Sequence, residues 1–530
     1  MTTDFTNDTI SLKLISLLIG KKGENLNRYI YQGLLRKKNI FSIIRAMTPF
    51  SLPENMSGYH IHMIGIKGTG MTALAELLHS RKAHITGSDV SEEFYTDTLL
   101  KDLNIPVYSP FSPSNIPDSA RLIIYSPAYN PDENEELNAA MKTTIPVMSY
   151  PQALGAVSQQ SYAIGVAGVH GKTTTTGMIG TLIKALSLDA SVLAGSAISN
   201  FDGKCTVIQG SKYFIAETCE YKKHFLQFCP RKIVLTSIES DHQDYYPHYE
   251  DILTAFLQYL DRLPPFSEVF YCADNAGARE AVQLIFASRP DLVFIAYGKT
   301  AAGNYGIKMH GIQNGQSVFA LRGFAGEFRL SIPGEHMVLN ATAAIAVTVS
   351  LLKEENQELS LTDLTTIRTA LSDFKGAKRR CEIIGEVNDI LFMDDYGHHP
   401  TAIHETLKGL HEFYPKRRIV ADFMSHTYSR TAALLDEFAG AFSFADTVIL
   451  HKIYSSAREH YEGTIDGQKL YEQMKKKRRK VRYFEEIMDA EQFLKDELHA
   501  GDLFITIGAG DNWKLGRALY TELLKQAVHI

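Results

Sequence analysis

Short apolar runs, separated by glycine-rich turns and helical patterns, recur along most of this chain. The runs at Tyr59–Gly65, Ala83–Ser88 and Leu122–Tyr125 predict buried strands, because each is rich in apolar residues and bounded by turn-forming residues. Between the first two runs, Thr69–Ser80 has the apolar spacing of a helix. Strands that alternate with helices form parallel sheets, so the pattern predicts an α/β fold.

The same alternation of strand and helix continues in two further blocks. In the second block it predicts strands Tyr162–Val166, Tyr213–Ala216 and Lys232–Ser237, a helix Gly177–Leu186, short strands and turns over Pro265–Gly334, and a helix Ala341–Leu352. In the third block it predicts strands Glu382–Val387, Ile390–Met393, Arg418–Phe423, Thr447–Leu450 and Leu503–Ile507. A chain of 530 residues exceeds one ordinary core. We therefore predict an extension (1–57) and three domains (58–150, 151–375 and 376–530), with Thr144–Pro151 as the linker between the first two domains.

Composition and charge are those of an ordinary globular protein. The chain is 45% hydrophobic and 22% charged, and its net charge of −6 gives no support for a nucleic-acid partner. No apolar run approaches the ~18 residues that a transmembrane helix needs. The five cysteines are scattered without metal-binding spacing, which fits a reducing cytoplasm. We expect a cytoplasmic protein that is a monomer or a homodimer.

The N-terminal extension, residues 1–57, is basic and is the least informative part of the sequence. Its apolar run Ile10–Leu18 is short and contains Lys13, and no secretory cleavage site follows it. Two interpretations stay open. One is a solvated segment docked on the main body, and the other is a pair of amphipathic helices in weak contact with a membrane surface.

The strongest candidate for chemistry is the segment Val166-Ala-Gly-Val-His-Gly-Lys-Thr-Thr-Thr-Thr176. It lies between a predicted strand and a predicted helix, which is the setting of a phosphate-binding loop. In such loops backbone N–H groups and the helix N-terminus face the phosphates, Lys172 would reach the β- and γ-oxygens, and the Thr173 hydroxyl would bind Mg²⁺. Val166 stands where the general pattern has glycine, and the turn falls at Gly168 instead. The alternative interpretation is a glycine turn before a surface helix.

The first predicted strand also ends in a glycine loop, Gly65-Ile-Lys-Gly-Thr-Gly70. Its spacing differs from the GxGxxG pattern of dinucleotide sites, so NAD is not favoured. The loop predicts a pyrophosphate at a helix N-terminus, and Asp89 lies near the distance at which an acid meets a ribose hydroxyl. Ser126 follows Leu122–Tyr125 at the carboxyl edge of the sheet, where open α/β sheets bind ligands. A turn without a ligand is the alternative.

Acidic and histidine side chains follow two predicted strands near the phosphate loop. Glu217 ends the strand Tyr213–Ala216, and His242 comes shortly after the next strand. Both side chains are candidate metal ligands, although Mg²⁺ prefers oxygen ligands and a hydrogen-bonded structural His242 is an equal alternative. Further along, His336 and Asn340 are four residues apart on one helix face. They form either a capping arrangement or a polar face towards a nucleotide base.

The third block places polar groups at the end of its predicted strands. These groups lie in Asp394-Asp-Tyr-Gly-His-His-Pro400, Ser425-His-Thr-Tyr-Ser-Arg430, Tyr454-Ser-Ser-Ala-Arg-Glu459 and Gly508-Ala-Gly-Asp511. Acids and histidines concentrated at strand ends indicate a site rather than a core. The pattern describes a doubly wound α/β domain with an active edge.

Five motifs occur in an order that resembles the Mur ligase family. They are Gly65-Ile-Lys-Gly-Thr-Gly-Met71, Ala167-Gly-Val-His-Gly-Lys-Thr-Thr-Thr-Thr176, Pro333-Gly-Glu-His-Met-Val-Leu-Asn-Ala-Thr-Ala343, Asp394-Asp-Tyr-Gly-His-His-Pro400 and Gly508-Ala-Gly510. The resemblance runs from about Tyr59 to about Arg517. Within the family, the chain is most similar to the branch that adds L-alanine to UDP-N-acetylmuramate, which Glu217–Tyr221 and Tyr454–Glu459 also resemble.

The resemblance implies a three-domain enzyme of peptidoglycan precursor synthesis. A Rossmann-like N-terminal domain would hold the UDP-sugar, and a central P-loop domain would bind ATP and Mg²⁺. A Rossmann-like C-terminal domain would bring the amino acid and close over both. The family reaction is ATP-dependent amide formation through an acyl phosphate and a tetrahedral intermediate.

The resemblance also implies roles for individual residues. For ATP these are Gly168, Val169, His170, Gly171, Lys172, Thr173 and Thr174, with His336 and Asn340 beside the adenine, Asp395 beside the ribose and Arg380 at the γ-phosphate. For Mg²⁺ they are Thr173, Glu217 and His242. For the UDP-sugar they are Gly68, Thr69, Gly70, Ser88, Asp89, Ser126 and Asn200. The amino acid would lie among His398 or His399, His426 and Arg430, and a histidine with a pKa near neutrality would take the amine proton while Lys172, Arg380 and Mg²⁺ neutralise charge.

Several positions depart from the family pattern. Val169 replaces a usual threonine and Lys67 a common glycine, and Thr427 stands where many relatives have arginine, which leaves more of the carboxylate recognition to Arg430. Ala255–Tyr259 has no lysine where relatives that add later residues carry a carbamylated one, which favours the alanine-adding branch. Two alternatives stay open: a ligase that attaches a preformed tripeptide to the same sugar in wall recycling, and a non-catalytic UDP-sugar-binding scaffold.

Overall fold

The structure is a computed structural model that describes residues 52–53, 55–355, 358–455, 463, 465–477 and 480–528. Both interpretations of the extension 1–57 concern residues that lie almost wholly outside this range, and most of Tyr454–Glu459 lies outside it too. Within the described residues, the three predicted blocks of strands form three separate sheets.

The first sheet has five parallel strands in the order β3-β2-β1-β4-β5. Its elements in chain order are β1 His60–Ile64, α1 Thr69–Ser80, β2 His84–Ser88, α2 Thr96–Asp102, β3 Val107–Tyr108, β4 Leu122–Tyr125, α3 Glu135–Lys142, β5 Val147–Ser149 and α4 Tyr150–Ser158. β1 is buried along its whole length because it lies at the centre of the sheet. The strand order reverses between β1 and β4, so the glycine loop after β1 and Ser126 after β4 emerge at one switch point.

The second sheet has ten strands in the order β15-β14-β13-β12-β11-β10-β6-β9-β7-β8. Its elements are β6 Tyr162–Ala167, α5 Lys172–Leu186, β7 Ala190–Leu193, β8 Thr206–Ile208, β9 Tyr213–Glu217, β10 Lys232–Leu235, α6 Tyr249–Asp261, β11 Glu268–Cys272, α7 Ala276–Ser288, β12 Val293–Gly298, β13 Tyr305–Gln313, β14 Gln316–Leu321, β15 Glu327–Leu330, α8 Glu335–Glu354 and α9 Leu361–Ser372. β6 lies between β10 and β9, parallel to both. The phosphate loop, Glu217 and the segment after β10 therefore meet at one edge of this sheet.

One described helix, α8, is long and apolar enough to cross a membrane by length and composition. However, 83% of its most apolar window is buried inside the protein. α8 packs against α5 in the core of the second sheet's domain, and the apolar side chains of both helices are buried there. Its hydrophobic character is therefore that of a core helix.

The third sheet has six strands in the order β16-β17-β21-β18-β19-β20, with β16 antiparallel at the edge. Its elements are β16 Glu382–Val387, β17 Ile390–Asp395, α10 Pro400–Phe413, β18 Arg418–Phe423, α11 Tyr428–Ala433, α12 Leu435–Ala441, β19 Thr447–Leu450, α13 Gly467–Lys477, β20 Val481–Tyr483, α14 Glu491–Glu497, β21 Asp502–Ile507 and α15 Trp513–Val528. Asp395, Ile507 and Phe423 lie side by side at the ends of β17, β21 and β18. The polar segments that follow these strands consequently share one edge.

The predicted fold class, three α/β units with largely parallel sheets, is confirmed. One helix start is wrong, because α5 begins at Lys172 and not at Gly177. The intervening Thr173–Thr176 are poor helix formers by propensity. All four threonines are buried, and the Thr176 hydroxyl donates to the Lys172 carbonyl at 2.9 Å, so packing and local hydrogen bonds determine the helix here.

Two other predicted boundaries are also wrong. α8 begins at Glu335 rather than at Ala341, which places His336 and Asn340 inside its first turns. The predicted linker Thr144–Pro151 contains β5, which pairs with β4 as the edge of the first sheet, and also the start of α4. An edge strand of three residues is too short to give a clear hydrophobic signal.

Candidate active site

The phosphate loop joins β6 to α5 and is tightly enclosed. Gly168 has a φ of +137° and Gly171 a φ of +79°, both conformations that residues with side chains rarely adopt. A Cβ atom on Gly168 would lie 2.1 Å from the Thr236 hydroxyl oxygen, and one on Gly171 would lie 2.6 Å from the Asn340 amide oxygen. Ser237 closes the loop, because its carbonyl and hydroxyl accept from the N–H groups of two loop residues at 3.0 and 2.9 Å. The result is a backbone cradle at a helix N-terminus, which suits an anion.

Lys172 is buried and paired with a carboxylate that the sequence patterns did not single out. Its Nζ lies 2.9 and 3.1 Å from the two carboxylate oxygens of Glu220 and also donates to the Gly168 carbonyl. The two paired side chains are 12% and 2% exposed. Burial would lower the pKa of Lys172, but Glu220 outweighs burial and raises it. Likewise burial would raise the pKa of Glu220, but Lys172 and His242 lower it. The loop lysine is therefore a fixed positive charge.

The three residues predicted to hold Mg²⁺ lie beside the loop, and two of them are in contact. The Thr173 hydroxyl donates to Glu217 Oε2 at 2.7 Å, and the Gly195 N–H donates to the same oxygen at 3.0 Å. His242 Nε2 lies 3.4 Å from Glu220 Oε1 instead. Thr173 and Glu217 thus offer the oxygen ligands that suit Mg²⁺, whereas Glu220 connects His242 to the loop lysine.

A cavity of about 600 Å³ opens beside the phosphate loop and extends to the third domain. From the second domain it is lined by Val169, His170, Gly171, Lys172, Thr173, Thr174, Glu217, His242, His336 and Asn340. From the third domain it is lined by Arg380, Asp395, His398 and His399. A larger cavity of about 860 Å³ opens over β11 and β12, and none of the predicted site residues lines it. The smaller cavity is therefore the candidate active site.

His336 and Asn340 line the cavity from the first turns of α8. The Asn340 amide oxygen accepts from the Thr175 hydroxyl at 3.2 Å, which fixes it against the phosphate loop. His336 Nδ1 is buried and makes no hydrogen bond to any described residue. Burial lowers the pKa of His336 to about 4, so its ring is neutral at pH 7. A neutral ring with a free nitrogen suits a nucleotide base.

Arg380 and Asp395 enter the cavity from the third domain. The Arg380 guanidinium lies 5.0 Å from the centre of the Tyr396 ring, a cation–π distance. The Asp395 carboxylate accepts from the N–H groups of Cys381 and Gly397 at 2.8 and 2.7 Å. These bonds hold the segment before β16 against the end of β17. Arg380 and the loop lysine consequently face one space, although they are far apart in sequence.

Arg430, predicted to bind the carboxylate of the amino acid, forms a buried ion pair with the second domain. Its Nε and Nη2 lie 2.8 and 2.7 Å from Asp241 Oδ1, and both side chains are 4% exposed. Its Nη1 lies 3.2 Å from His426 Nδ1. Burial would raise the pKa of Asp241, but Arg430 and nearby histidines hold it well below its usual value. No role was predicted for Asp241 from the sequence, although it directly precedes the predicted metal ligand His242.

The two histidines that follow β17 have pKa values below the ordinary value of a histidine. Burial and the Arg430 charge hold the pKa of His398 well below its ordinary value. Burial and nearby His170 lower the pKa of His399 to about 4. Both rings are neutral at pH 7 and are weak proton acceptors. Of the predicted histidines, His426 stays the candidate proton acceptor.

Apart from Asn200, the residues predicted for the UDP-sugar lie around the switch point of the first sheet, where some already have internal partners. The Ser88 hydroxyl is buried and donates to Glu136 at 2.6 Å. The Asp89 carboxylate accepts from the Lys67 N–H at 2.7 Å and from the Tyr129 hydroxyl at 2.9 Å. Asp89 therefore holds the glycine loop in shape, and its predicted contact with a ribose stays a prediction.

Aromatic side chains cover the start of α1. The Thr69 hydroxyl lies 2.9 Å from the Tyr95 hydroxyl. A Cβ atom on Gly70 would lie 2.9 Å from the Tyr150 ring, and the Lys378 ammonium lies 4.4 Å from the centre of the Tyr95 ring. Gly68 accepts from the Thr72 N–H at 2.8 Å through its carbonyl, and Ser126 accepts weakly through its hydroxyl from the Ala128 N–H at 3.4 Å.

Asn200, predicted to approach the sugar acid, joins the second domain to the segment before the third. Its amide nitrogen donates to the Asp373 carbonyl at 3.0 Å, and its amide oxygen accepts from the Lys375 N–H at 2.8 Å. The structure therefore gives this side chain a joining role. Its contact with a substrate stays a prediction.

The fold and the cavity define a class of protein that handles a phosphate-bearing ligand between two domains. Residues 60–162 match the Mur ligase family, catalytic domain, residues 166–348 the Mur ligase middle domain, and residues 379–510 the Mur ligase, glutamate ligase domain. The chain belongs to the Mur ligase family.

Relatives within this family resemble the chain over most of its length. A UDP-N-acetylmuramate–L-alanine ligase of Treponema pallidum (strain Nichols) is 58% identical over 470 residues, covering 89% of this chain and 98% of the relative. The ligase of the same name from Desulfitobacterium hafniense is 39% identical over 461 residues, covering 87% and 99%. The crystal structure of the UDP-N-acetylmuramate-alanine ligase MurC from Thermotoga maritima has the same fold, with a TM-score of 0.70 and 23% identity over 88% of this chain and 99% of that one.

Proposed function

We propose that this protein is an ATP-dependent ligase that joins L-alanine to UDP-N-acetylmuramate in the cytoplasm, as a step of peptidoglycan precursor synthesis. The observation that carries the proposal is the cavity in which Lys172 and Thr173 of the second domain meet Arg380 and Asp395 of the third. The names of relatives that are 58% and 39% identical support the choice of substrates.

The first half of the reaction is phosphoryl transfer from ATP to the carboxylate of the sugar, giving an acyl phosphate. Two anions must approach each other, and Lys172, kept charged by Glu220, and Arg380 supply fixed positive charge at the place of approach. Such preorganised charge is most of what phosphoryl transfer asks of a protein. Thr173 and Glu217, with His242 nearby, would hold Mg²⁺, which would supply further positive charge to the phosphates.

The second half of the reaction is attack of the amine of L-alanine on the activated carbonyl, which forms the C–N bond of the amide, breaks the C–O bond of the acyl phosphate and releases inorganic phosphate. Arg430 engages Asp241 with its Nε and Nη2 groups and His426 with its Nη1 group, which leaves one Nη2 N–H for the α-carboxylate. Arg430 Nη1 donates to His426 Nδ1 at 3.2 Å, and this unprotonated nitrogen would take the proton of the amine once Nη1 turns to the α-carboxylate. The burial of the Arg430–Asp241 pair keeps water away from this side of the activated intermediate.

A substrate-omission assay tests this function. Purified full-length protein with Mg²⁺-ATP should release phosphate only when UDP-N-acetylmuramate and L-alanine are both present. Phosphate release that L-alanine does not stimulate would overturn the proposal. Supplying L-alanine and the preformed tripeptide together, with the product identified by mass spectrometry, separates an alanine ligase from a tripeptide ligase. A scaffold protein would give neither product.

A further inference from the structure

Three side chains outside the predicted Mg²⁺ site form a cluster with metal-ligand chemistry. His170 lies in the phosphate loop, Glu239 follows β10, and His399 follows β17. One ring nitrogen of each histidine and one carboxylate oxygen of Glu239 all lie within 4.8 Å of one another. We propose that this trio binds a divalent transition metal such as Zn²⁺ and thereby links the second domain to the third.

His170 offers a nitrogen that the fold leaves without a hydrogen bond. Its Nε2 is buried, makes no hydrogen bond to any described residue, and lies 3.4 Å from Glu239 Oε2. A buried polar atom without a hydrogen bond is unfavourable, because it has lost its contact with water and gained no partner. Coordination by Nε2 would remove this cost.

His399 has the ring orientation of a metal ligand. Its Nε2 lies 3.2 Å from the Ser240 carbonyl, which can only accept, so Nε2 carries the proton. The other nitrogen, Nδ1, is therefore unprotonated, and it accepts a long hydrogen bond from the Thr401 N–H at 3.3 Å. Metal-bound histidines usually donate their second ring N–H to a carbonyl or carboxylate in this way. A metal on Nδ1 would replace one weak hydrogen bond.

The distances allow coordination after small side-chain rotations. Zn²⁺ binds nitrogen and oxygen at about 2.0–2.2 Å with tetrahedral geometry, which places ligand atoms about 3.3 Å apart. His170 Nε2 and Glu239 Oε2 already have this spacing, at 3.4 Å. One ring nitrogen of His399 lies within 4.8 Å of the other two ligand atoms, so the remaining approach for that nitrogen is at most about 1.5 Å.

The donor set distinguishes this cluster from the predicted Mg²⁺ site. Two imidazoles with one carboxylate suit Zn²⁺, Co²⁺ or Ni²⁺, whereas the oxygen pair Thr173–Glu217 suits Mg²⁺. Glu239 is further oriented by the Asn275 amide, which donates to Oε1 at 3.2 Å. Because His170 belongs to the phosphate loop, a metal here would immobilise the loop against the third domain and slow turnover. The cluster is thus an inhibitory site for borderline metals.

Metal binding can be measured without any substrate. Chelator-treated full-length protein is titrated with Co²⁺ in excess Mg²⁺ and followed by visible d–d absorption. We expect one equivalent to bind, with Glu239→Gln and His399→Gln each weakening binding at least about tenfold, which is ~1.4 kcal/mol. Glu405→Gln is the matched control, because Glu405 lines the same cavity outside the cluster, and it should bind Co²⁺ like the wild type. Absence of the absorption band, or wild-type binding in Glu239→Gln, would overturn the proposal.

Two further measurements separate loss of metal binding at this cluster from unfolding and from metal binding at Thr173 and Glu217. Melting temperatures without metal show whether each variant is folded, and only folded variants are compared. In the ligase assay, Zn²⁺ should inhibit the wild type at concentrations at least about tenfold lower than those that inhibit Glu239→Gln. Equal inhibition of both proteins would mean that Zn²⁺ acts at Thr173 and Glu217 and would refute the inhibitory role. Because the Co²⁺ titration uses no substrate, it can fail or succeed independently of the proposed ligase activity.

Discussion

At the scale of single residues, the site depends on charges held where the fold limits access of water. Lys172 with Glu220 and Arg430 with Asp241 are pairs whose side chains are at most 12% exposed. Taking such charges out of water is costly, and removal of one partner leaves the other without compensation. These pairs are therefore the places where single substitutions should have the largest effects.

Lys172→Met should abolish most of the catalysis. The substitution removes the positive charge at the phosphate cradle, and we expect kcat to fall by at least about 100-fold, the size of effect seen when one preorganised electrostatic contact is lost. Phosphate release under saturating substrates measures this. Lys212→Met is the control, because Lys212 is 48% exposed and pairs with Glu355 outside the cavity. A Lys172→Met enzyme within tenfold of the wild type would contradict the assigned role.

Asp241→Asn should destabilise the protein far more than the loss of a surface pair. It leaves the Arg430 guanidinium buried without a counter-charge, and we expect the free energy of unfolding to fall by about 3 kcal/mol. Glu486→Gln breaks a pair with Lys452 whose side chains are 58% and 44% exposed, and should cost at most about 0.5 kcal/mol. Urea unfolding measures the decrease in the free energy of unfolding for each variant. Equal decreases for Asp241→Asn and Glu486→Gln would contradict the prediction.

Sequence patterns identified the site residues that belong to motifs but missed the carboxylates that form ion pairs with site residues. Lys172 was named from the phosphate-loop motif and Arg380 from the family resemblance, and the structure places both at one cavity. Glu220 lies in the segment Glu217–Tyr221 and Asp241 directly precedes His242, but neither was assigned a role from the sequence. Their importance depends on pairing with residues from distant segments, which sequence spacing alone does not show.

At the scale of elements, the site consists of loops at the carboxyl ends of parallel strands. Buried strands such as β4, β18 and β19 were predicted with their observed bounds, because a continuous apolar run between turn-forming residues is typical of a buried strand. The start of α5 was predicted five residues late, because four threonines in a row suppress the helical signal that packing restores.

Gly171→Ala should impair the phosphate loop specifically. Gly171 and the control Gly203 have φ of +79° and +77°, so alanine at either position should cost about 1–3 kcal/mol of stability through backbone strain. A Cβ on Gly171 would lie 2.6 Å from the Asn340 amide oxygen, whereas one on Gly203 meets nothing within 4 Å. Calorimetric titration with ATP should show at least about tenfold weaker binding for Gly171→Ala alone. Equal ATP affinity in the two variants would show that the close approach of Asn340 to Gly171 does not affect ATP binding.

At the scale of the whole molecule, several buried histidines make stability depend on pH. The folded pKa of His336 and of His399 is lowered to about 4. Between about pH 6.5 and 4, the unfolded chain binds protons that the folded protein does not, so stability falls as pH falls. His451 has a raised pKa, because Asp422 outweighs burial, and its contribution is complete below about pH 6.5 and lost only above it. His451 therefore does not offset the fall in stability between about pH 6.5 and 4.

The free energy of unfolding should accordingly decrease on going from pH 6.5 to pH 5. Each histidine with a lowered pKa contributes up to about 1.4 kcal/mol per pH unit within this window. Urea midpoints at several pH values measure the slope, and His336→Gln should make it shallower. A stability that is constant or rises towards pH 5 would show that these rings are protonated in the folded protein.

The three-domain architecture was predicted from the chain length and from three blocks of alternating strands and helices, but the packing of the domains against one another was not. Residues 1–57 gave no clear pattern, and most of them lie outside the described part of the chain. The cavity walls depend on how the second and third sheets are packed together, which hydrophobic periodicity within each domain does not determine.

The Arg430–Asp241 pair sets a rule for exchanging parts between relatives. A chimera whose C-terminal portion comes from a homologue without an arginine at position 430 would bury Asp241 with no counter-ion. The reciprocal chimera, with a homologue's N-terminal portion that lacks the aspartate, would bury the Arg430 guanidinium with no counter-ion. Modular recombination of these ligases should therefore succeed only when both residues of the pair come from the same parent.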